Sequence, residues 1–349
     1  MGGGKNIPGI EVVAYVDKSE SARERFEAKR GKKAISPKEF FQNYSSKNVY
    51  VVVCVGPEHE LSIRNTLSKY GFRWGVDAFP WLEFEDRHHG FFAMRDSGYL
   101  WAPVITFSCT DFCTLRCRNC SLKIPYQENA TRHHKSLEEL KTETENFFKK
   151  FDYVEEYALV GGEVLLWPYL CEYLDWVFEK FSSQYGWARI VSNSTQKLSE
   201  NVLKTLAKDN VMFEITVYKD VVPEEKRSIN KSLCEEYGVK YREIEHSHWF
   251  DFGLKPETLQ KNRDNSLFFA ECESLCRGVE DNQLIYCLPG YFSAMRGHIS
   301  RERRGLSLDA SKKELYEYYY GMFTKDYPAY CDYCLEFVRA PIIPVAEQL

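Results

Sequence analysis

Between residues 100 and 255, stretches with a strand-like hydrophobic pattern alternate with stretches of helical periodicity. Apolar runs of strand length predict five β-strands, at 103–108, 154–160, 187–192, 211–217 and 239–244. The intervening stretches carry apolar residues every three or four positions and predict helices, of which the clearest covers 166–181. This alternation predicts a parallel sheet with crossover helices, here an α/β fold built as a partial (β/α)6 TIM-type barrel.

The segments that flank this repeat have other patterns. The N-terminal part contains two apolar strand-like runs, 10–16 and 49–55, among helix signals, and it predicts a small α/β unit. The C-terminal part contains a hairpin-like piece around 284–290 and a helix over 311–324. We therefore predict three domains, with the boundaries 1–98, 99–255 and 256–349.

The composition of the 349-residue chain argues against several classes of function. The formal net charge of -5 provides no basic field of the kind that nucleic-acid binders usually show. The longest apolar runs are strand-sized, whereas a membrane-spanning helix needs about 20 apolar residues. The first residues lack the apolar core of a secretion signal. We therefore expect a cytoplasmic protein with neither nucleic acid nor membrane as a partner.

Twelve cysteines are unusual for such a chain, because cytoplasmic disulfides are rare and clustered thiols there more often bind metal. Cys113, Cys117 and Cys120 have the spacing C-x3-C-x2-C directly after the strand at 103–108. Three thiolates on one loop can hold three irons of a [4Fe–4S] cluster and leave the fourth iron open to a small ligand. The alternative is a structural zinc site with Cys109 as its fourth ligand.

Glycines and polar residues follow the next strands, where a parallel barrel places its site. They are Gly161, Gly162 and Glu163 after the second strand, Ser192, Asn193 and Ser194 after the third, and Thr216 within the fourth. Two successive glycines allow a ligand to approach the backbone closely. The glutamate can accept a hydrogen bond from an ammonium group, and the polar side chains suit a carboxylate or a ribose.

The order and spacing of these motifs resemble the radical S-adenosylmethionine (SAM) superfamily. Cys113, Cys117 and Cys120 match its cluster motif, 161–163 match its G-G-E-P motif, and 192–195 match its T-N-G-T motif. The resemblance implies that the cysteines bind a [4Fe–4S] cluster and that SAM chelates its open iron. One-electron reduction then cleaves SAM to methionine and a 5′-deoxyadenosyl radical, which abstracts hydrogen from the substrate.

The chain departs from the family pattern at three positions. Val164 replaces the usual proline after G-G-E, and Ser194 replaces the glycine of the third motif. Asn119 stands where an aromatic residue commonly packs near the adenine. These changes weaken individual contacts and leave the three cysteine ligands intact. The strand-end residues, including Thr216, are expected to bind SAM.

A second cysteine group lies in the C-terminal part. Its best four ligands are Cys276, Cys287, Cys331 and Cys334, and Cys272 is a possible substitute. Two cysteines that flank a hairpin strand, followed by C-x2-C, resemble the SPASM and twitch extensions of radical SAM enzymes. That resemblance implies one auxiliary iron–sulfur cluster. Zinc is the alternative, because C-x2-C alone does not select a metal.

The N-terminal part resembles a portion of the Rossmann-like domain that precedes some sugar-modifying enzymes, and docking or substrate presentation is its expected role. The overall resemblance implies an enzyme that acts on a sugar, a nucleotide sugar or a related small metabolite of glycan biosynthesis. A flavodoxin or a ferredoxin-type protein is the implied electron donor. Peptide maturation is the alternative enzymatic function, and a non-catalytic zinc-binding or redox-sensing protein is the alternative outside enzymes.

Overall fold

The computed structural model contains two compact units, Met1–Trp101 and Ala102–Leu349, called here the N-terminal and C-terminal units. The structure describes residues 10–261, 263–270, 272, 276–299, 305–322, 327–335 and 340–349. The predicted division into three domains stays a prediction.

The described part of the N-terminal unit has two separate two-stranded parallel sheets instead of one continuous sheet. The pairs are β1 (Tyr15–Val16) with β2 (Ala34–Ile35), and β3 (Val51–Val53) with β4 (Ala78–Pro80). The strands predicted over 10–16 and 49–55 are therefore shorter than expected, because only two or three residues of each pair with a neighbour. The helices are α1 (Glu20–Arg30), α2 (Pro37–Asn43), α3 (Pro57–Lys69), α4 (Trp81–Glu83) and α5 (His89–Ser97), with a π-helical turn at Phe84–His88.

Local sequence signals account for the start of α2 and for the core beside it. The Ser36 hydroxyl accepts a hydrogen bond from the backbone N–H of Glu39, and Pro37 occupies the first turn, as the sequence predicts. A small apolar core packs around this helix. Its buried members are Phe40, Val53, Leu67, Phe72 and Ala78.

One open eight-stranded sheet dominates the C-terminal unit. The strands of this unit are β5 (Trp101–Ser108), β6 (Tyr153–Val160), β7 (Tyr185–Ser192), β8 (Val211–Val217), β9 (Tyr241–Glu245), β10 (Trp249–Phe250), β11 (Gly278–Glu280), β12 (Gln283–Ile285), β13 (Leu306–Ser307) and β14 (Ile342–Ile343). The sheet order is β13-β12-β11-β5-β6-β7-β8-β9, and β6 to β9 run parallel. All five predicted strands are present, and the predicted α/β class is confirmed.

A hairpin from the C-terminal part of the chain extends this sheet beyond β5. β11 runs parallel to β5 and antiparallel to β12. The turn is Asp281–Asn282, whose φ angles of 51° and 59° are typical of a type I′ turn. The hairpin predicted around 284–290 is therefore misplaced. Cys287 instead caps α11 (Leu288–Met295), whose first turn accommodates the proline of this sequence.

Helices connect the strands of the sheet and cover it. They are α6 (Leu137–Lys150), α7 (Leu170–Lys180), α8 (Glu200–Leu206), α9 (Glu224–Tyr237), α10 (Asn265–Ala270), α11 and α12 (Lys312–Tyr319). Ser136 and Glu139 form the predicted capping box of α6. Helix α7 buries its predicted apolar face but begins later than the predicted start at 166, because Pro168 interrupts the helical pattern. No helix among the described residues has the length and apolar character needed to cross a bilayer.

A buried ion cluster joins β5, β11 and α6. The Lys135 ammonium lies 2.7 Å from the Glu143 carboxylate and 2.8 Å from that of Glu280, and the Ser108 hydroxyl donates to Glu280. Burial is the main cause that raises the pKa of Glu280 to about 7, and the attraction of Lys135 only partly opposes it. These contacts hold the C-terminal hairpin against the strand that precedes the cysteine loop.

This raised pKa predicts that the free energy of unfolding decreases as the pH rises from about 4.5 to about 7. In that window the folded protein keeps a proton on Glu280 that the unfolded chain has released, so the contribution is complete below the window and lost above it. At about 1.4 kcal/mol per pKa unit the decrease amounts to about 3 kcal/mol. Denaturant unfolding at several pH values across the window should show this decrease in the free energy of unfolding in the wild type but not in Glu280→Gln. The exposed Glu138→Gln is the control, and identical pH profiles for the wild type and Glu280→Gln would contradict the assignment.

Candidate functional site

The cysteine loop, residues 109–120, begins directly at the end of β5 and is fastened at its base. The Cys109 N–H donates to the Val160 carbonyl at the end of β6 (3.0 Å), and the Asp111 N–H donates to the His133 carbonyl (3.0 Å). The Asp111 carboxylate also pairs with the guanidinium of Arg296 on α11 at 2.9 Å. The loop is therefore held both by the neighbouring strand and by the helix that follows the C-terminal hairpin.

The two glycines after β6 admit the cysteine loop onto the end of that strand. The Gly162 N–H donates to the Thr110 carbonyl and the Glu163 N–H to the Phe112 carbonyl, both at 2.8 Å. A Cβ atom on Gly162 would collide with the Phe112 carbonyl and lie 2.9 Å from the Cβ of Cys113. The sequence predicted that the glycines let a ligand approach the backbone. In the structure they allow the close approach of the loop that carries the cysteines.

Glu163 joins the end of β6 to the end of β7. Its side chain is buried, and its carboxylate accepts from the Ser192 hydroxyl (2.7 Å), the Asn193 N–H (2.8 Å) and the Leu165 N–H (3.2 Å). Burial raises its pKa, while these hydrogen bonds oppose that shift. The predicted contact of Glu163 with an ammonium group stays a prediction.

Asn193 connects the third motif to the cysteine loop. Its side-chain N–H group donates to the Thr114 hydroxyl at 3.2 Å and lies 3.6 Å from the Cys113 sulfur. Its side-chain oxygen accepts from the Thr195 hydroxyl at 2.7 Å, and the Thr195 and Thr114 hydroxyls are 2.5 Å apart. The structure thus brings together the cysteine loop, the G-G-E motif and the S-N-S-T motif in one hydrogen-bonded network.

Ser194 has a backbone conformation that glycine adopts more readily than serine. Its φ is 59°, in the left-handed region that glycine adopts without strain. The side chain is fully buried, and its hydroxyl accepts from the Asn230 amide on α9 at 2.7 Å. This hydrogen bond helps to hold the strained residue in place. The predicted cofactor contact of Ser194 stays a prediction.

Tyr218, the residue directly after β8, also faces the cysteines. Burial raises the pKa of its hydroxyl, and the charges of Cys117, Cys120 and Cys113 raise it further. Its ring packs edge-on against that of Trp249, with centroids 5.8 Å apart. Thr216, on β8, is buried. Tyr218 was absent from the predicted site residues, although its place at a strand end was the available signal.

The three thiols of the loop, Cys113, Cys117 and Cys120, are all at least partly buried. Burial is the main cause that raises the pKa of Cys113 to about 12, and the charges of Glu163, Cys120 and Cys117 add to it. Within the described ranges, no group of three or more Cys, His, Asp or Glu side chains is arranged to hold a metal ion. Thiolates are the usual ligands of iron–sulfur clusters, and they also bind structural zinc, so the choice between the two stays a prediction.

The second cysteine group also shares one neighbourhood. Burial is the main cause that raises the pKa of Cys287 well above its usual value. The charges of Cys276, Cys334 and Cys272 raise it further. The pKa of Cys331 is likewise raised by burial and then by Cys287, Cys272 and Cys334. Cys272 and Cys334 therefore lie near both Cys287 and Cys331, and Cys276 lies near Cys287. The choice between Cys276 and Cys272 as the fourth ligand stays open.

The surroundings of the second group are built from three chain segments. The Arg263 guanidinium donates to the carbonyls of Cys331 (2.7 Å) and Cys334 (2.8 Å). The Cys287 N–H donates to the Tyr330 hydroxyl at 3.2 Å. These bonds connect the 3-10 turn Ala329–Tyr333 with α11 and with the segment before α10.

No protein-family model matches the chain, and no curated protein matches it. Three solved structures are among those that match parts of the chain. BtrN in complex with AdoMet and 2-DOIA is 17% identical, with 72% of this chain and 97% of that chain covered and a TM-score of 0.43. SuiB of Streptococcus suis bound to precursor peptide SuiA is 16% identical, with 43% and 34% covered and a TM-score of 0.34. Native anSMEcpe with bound AdoMet and Kp18Cys peptide is 14% identical, with 41% and 42% covered and a TM-score of 0.31.

The match spans about a third of the SuiB chain and about two fifths of the anSMEcpe chain. The identities of these matches are 14–17%, and their TM-scores lie below 0.5. The function is therefore argued from the residues of this chain.

The close approach at Gly162 predicts that Gly162→Ala displaces the cysteine loop. The added methyl group collides with the Phe112 carbonyl, so we expect a loss of about 1–3 kcal/mol of folding free energy and reduced iron incorporation. Gly161→Ala is the milder comparison variant. Its Cβ would lie 3.0 Å from atoms of Thr110, which need to shift only slightly. Denaturant unfolding and iron analysis after anaerobic reconstitution measure both effects. Wild-type values for Gly162→Ala would contradict the observed packing.

Proposed function

We propose that this chain is a radical SAM enzyme whose cysteine loop binds the SAM-cleaving cluster. The observation that carries the proposal is the hydrogen-bonded junction of three motifs at adjacent strand ends. Glu163 bonds to Ser192 and Asn193, and the Asn193 amide lies against Cys113. A structural zinc loop gives no reason for this junction, whereas a cofactor that spans the cysteines and the neighbouring strand ends does.

The roles proposed for the residues follow from the motif resemblance to radical SAM enzymes, and the hydrogen-bonded network supports them. Cys113, Cys117 and Cys120 would hold a [4Fe–4S] cluster, which when reduced supplies the electron that cleaves SAM. Glu163 and the backbone of Gly161 and Gly162 would bind the amino group of SAM. The remaining predicted SAM contacts are Ser192, Asn193, Ser194 and Thr216. Of these, Ser194 would act through the backbone conformation that it imposes.

We assign the second cysteine group to an auxiliary iron–sulfur cluster. Cys276, Cys287, Cys331 and Cys334 are the proposed ligands, with Cys272 as the possible substitute. The nearness of Cys272 and Cys334 to both Cys287 and Cys331, and of Cys276 to Cys287, supports a shared site. Four thiolates would leave no iron open to SAM, so the proposed tasks of this cluster are electron transfer and stabilisation of the C-terminal extension.

The proposed substrate is a sugar, a nucleotide sugar or a related small metabolite, and the proposed electron donor is a flavodoxin or a ferredoxin-type protein. Both rest on the family resemblance of the motifs. The substrate class is tested by the rate of 5′-deoxyadenosine formation when candidate sugars, nucleotide sugars or peptides are added to the reduced enzyme. Acceleration by a peptide alone would favour peptide maturation instead.

The cluster assignment predicts the behaviour of a variant in which Cys113, Cys117 and Cys120 are all replaced by alanine. It should lose one [4Fe–4S] cluster and all SAM cleavage, because alanine offers no thiolate. The matched control replaces Cys54, Cys171 and Cys234, which lie in neither cysteine group, and should keep both properties. Mössbauer spectra and 5′-deoxyadenosine formation with dithionite provide the measurements. If the triple variant still cleaves SAM, the assignment is wrong; zinc without iron in the reconstituted wild type would favour the non-catalytic alternative.

The role of Glu163 predicts a binding defect without loss of iron. Glu163→Gln preserves the volume of the side chain but removes the charge expected to meet the ammonium group. A charged hydrogen bond is worth roughly 1.5–3 kcal/mol, so SAM affinity should fall about tenfold to hundredfold. Ser192→Ala is the comparison variant, since it removes one hydrogen-bond partner of the carboxylate and leaves its charge. SAM affinity should fall less in this variant than in Glu163→Gln. Equilibrium binding and iron content are measured together, and unchanged affinity in Glu163→Gln would exclude the proposed contact.

A further inference from the structure

Residues 346–349, called here the backing segment, lie antiparallel to the middle of the cysteine loop. Gln348 forms a β-bridge with Cys117. The flanking backbone hydrogen bonds run from the Arg118 N–H to the Glu347 carbonyl (2.7 Å) and from the Leu349 N–H to the Arg116 carbonyl (2.9 Å). A segment more than two hundred residues away in sequence therefore supports the loop at its central cysteine.

The Gln348 side chain has an orientation that its partners dictate. Its oxygen accepts from the Arg116 N–H at 2.7 Å, and an amide nitrogen could not fill that place because it only donates. The nitrogen therefore faces the Cys117 sulfur at 3.3 Å and also donates to the Ala346 carbonyl at 2.6 Å. Cys117 itself is only 8% exposed, and Gln348 is half-buried beside it.

The backing segment is anchored just upstream. Strand β14 pairs antiparallel with β10, and the Asp251 N–H donates to the Pro341 carbonyl at 2.9 Å. Between this anchor and the cysteine loop the chain turns at Ala346, which is buried with a φ of 51°. Two points of attachment thus hold Gln348 in register with Cys117.

We propose that Gln348 is a positioning residue that raises the reduction potential of the cluster bound by the cysteine loop; this inference rests on the proposed function. Reduction by one electron places more negative charge on the cluster and its thiolate sulfurs. An N–H dipole aimed at one of those sulfurs stabilises the reduced state more than the oxidised state. Hydrogen bonds to sulfur and exclusion of solvent are among the means by which a protein sets cluster potentials.

The test is a dithionite titration of the holoenzyme, followed by EPR. The relevant cluster is the one whose EPR signal changes when SAM is added. Gln348→Glu keeps an oxygen for the Arg116 N–H and replaces the donor to Cys117 by a carboxylate, and Gln348→Leu removes both bonds. Both variants should retain iron and show a more negative midpoint potential, with the larger shift in Gln348→Glu. Glu347→Gln is the matched control, because its side chain meets Arg118 at 3.6 Å and does not touch the sulfur, and it should keep the wild-type potential.

The outcomes separate this inference from the proposed function. A wild-type protein that assembles no SAM-responsive cluster overturns the proposed function, and this inference with it. A SAM-responsive cluster whose potential is the same in the wild type and in both Gln348 variants overturns the inference alone. Loss of iron from both variants also overturns it, because Gln348 would then have a purely structural role.

Discussion

The arrangement of the candidate site depends on a backbone contact with almost no space to spare. Gly162 lies against the Phe112 carbonyl and the Cβ of Cys113, and two hydrogen bonds of 2.8 Å fix that contact. Only a residue without a Cβ permits this approach. Because the cysteine loop rests on the end of β6 at this point, the position of Cys113 relative to the other strand ends follows from the glycine.

Glu163 extends the same constraint to the next strand. A buried carboxylate loses its hydration, and hydrogen bonds must replace it. Glu163 obtains them from Ser192 and Asn193, so its desolvation is compensated by contacts that fix the end of β7. The Asn193 side chain in turn contacts Thr114 and Cys113 of the cysteine loop. Three strand ends are thus connected through a set of short polar contacts.

Sequence reasoning found the features that depend on local pattern. The five core strands and the capping box at Ser136 were predictable because strand hydrophobicity and helix capping act over a few residues. The hairpin turn at Asp281–Asn282 was missed because neither residue is glycine, the usual signal of a type I′ turn. The contact of Gln348 with Cys117 could not be predicted, since it joins residues that are far apart in sequence and neither carries a motif for it.

The C-terminal part of the chain contributes to the core sheet as well as to its own cysteine group. β11 pairs with β5, the strand that leads into the cysteine loop, and Glu280 of β11 reaches Lys135 and Ser108 beside that loop. From α11, Arg296 holds Asp111 within the loop, while Cys287 begins the same helix. The hairpin and α11 therefore connect the two cysteine groups through rigid secondary structure. A change in the packing of α11 would reach both groups, which gives a physical reason to treat the extension and the core as one functional unit.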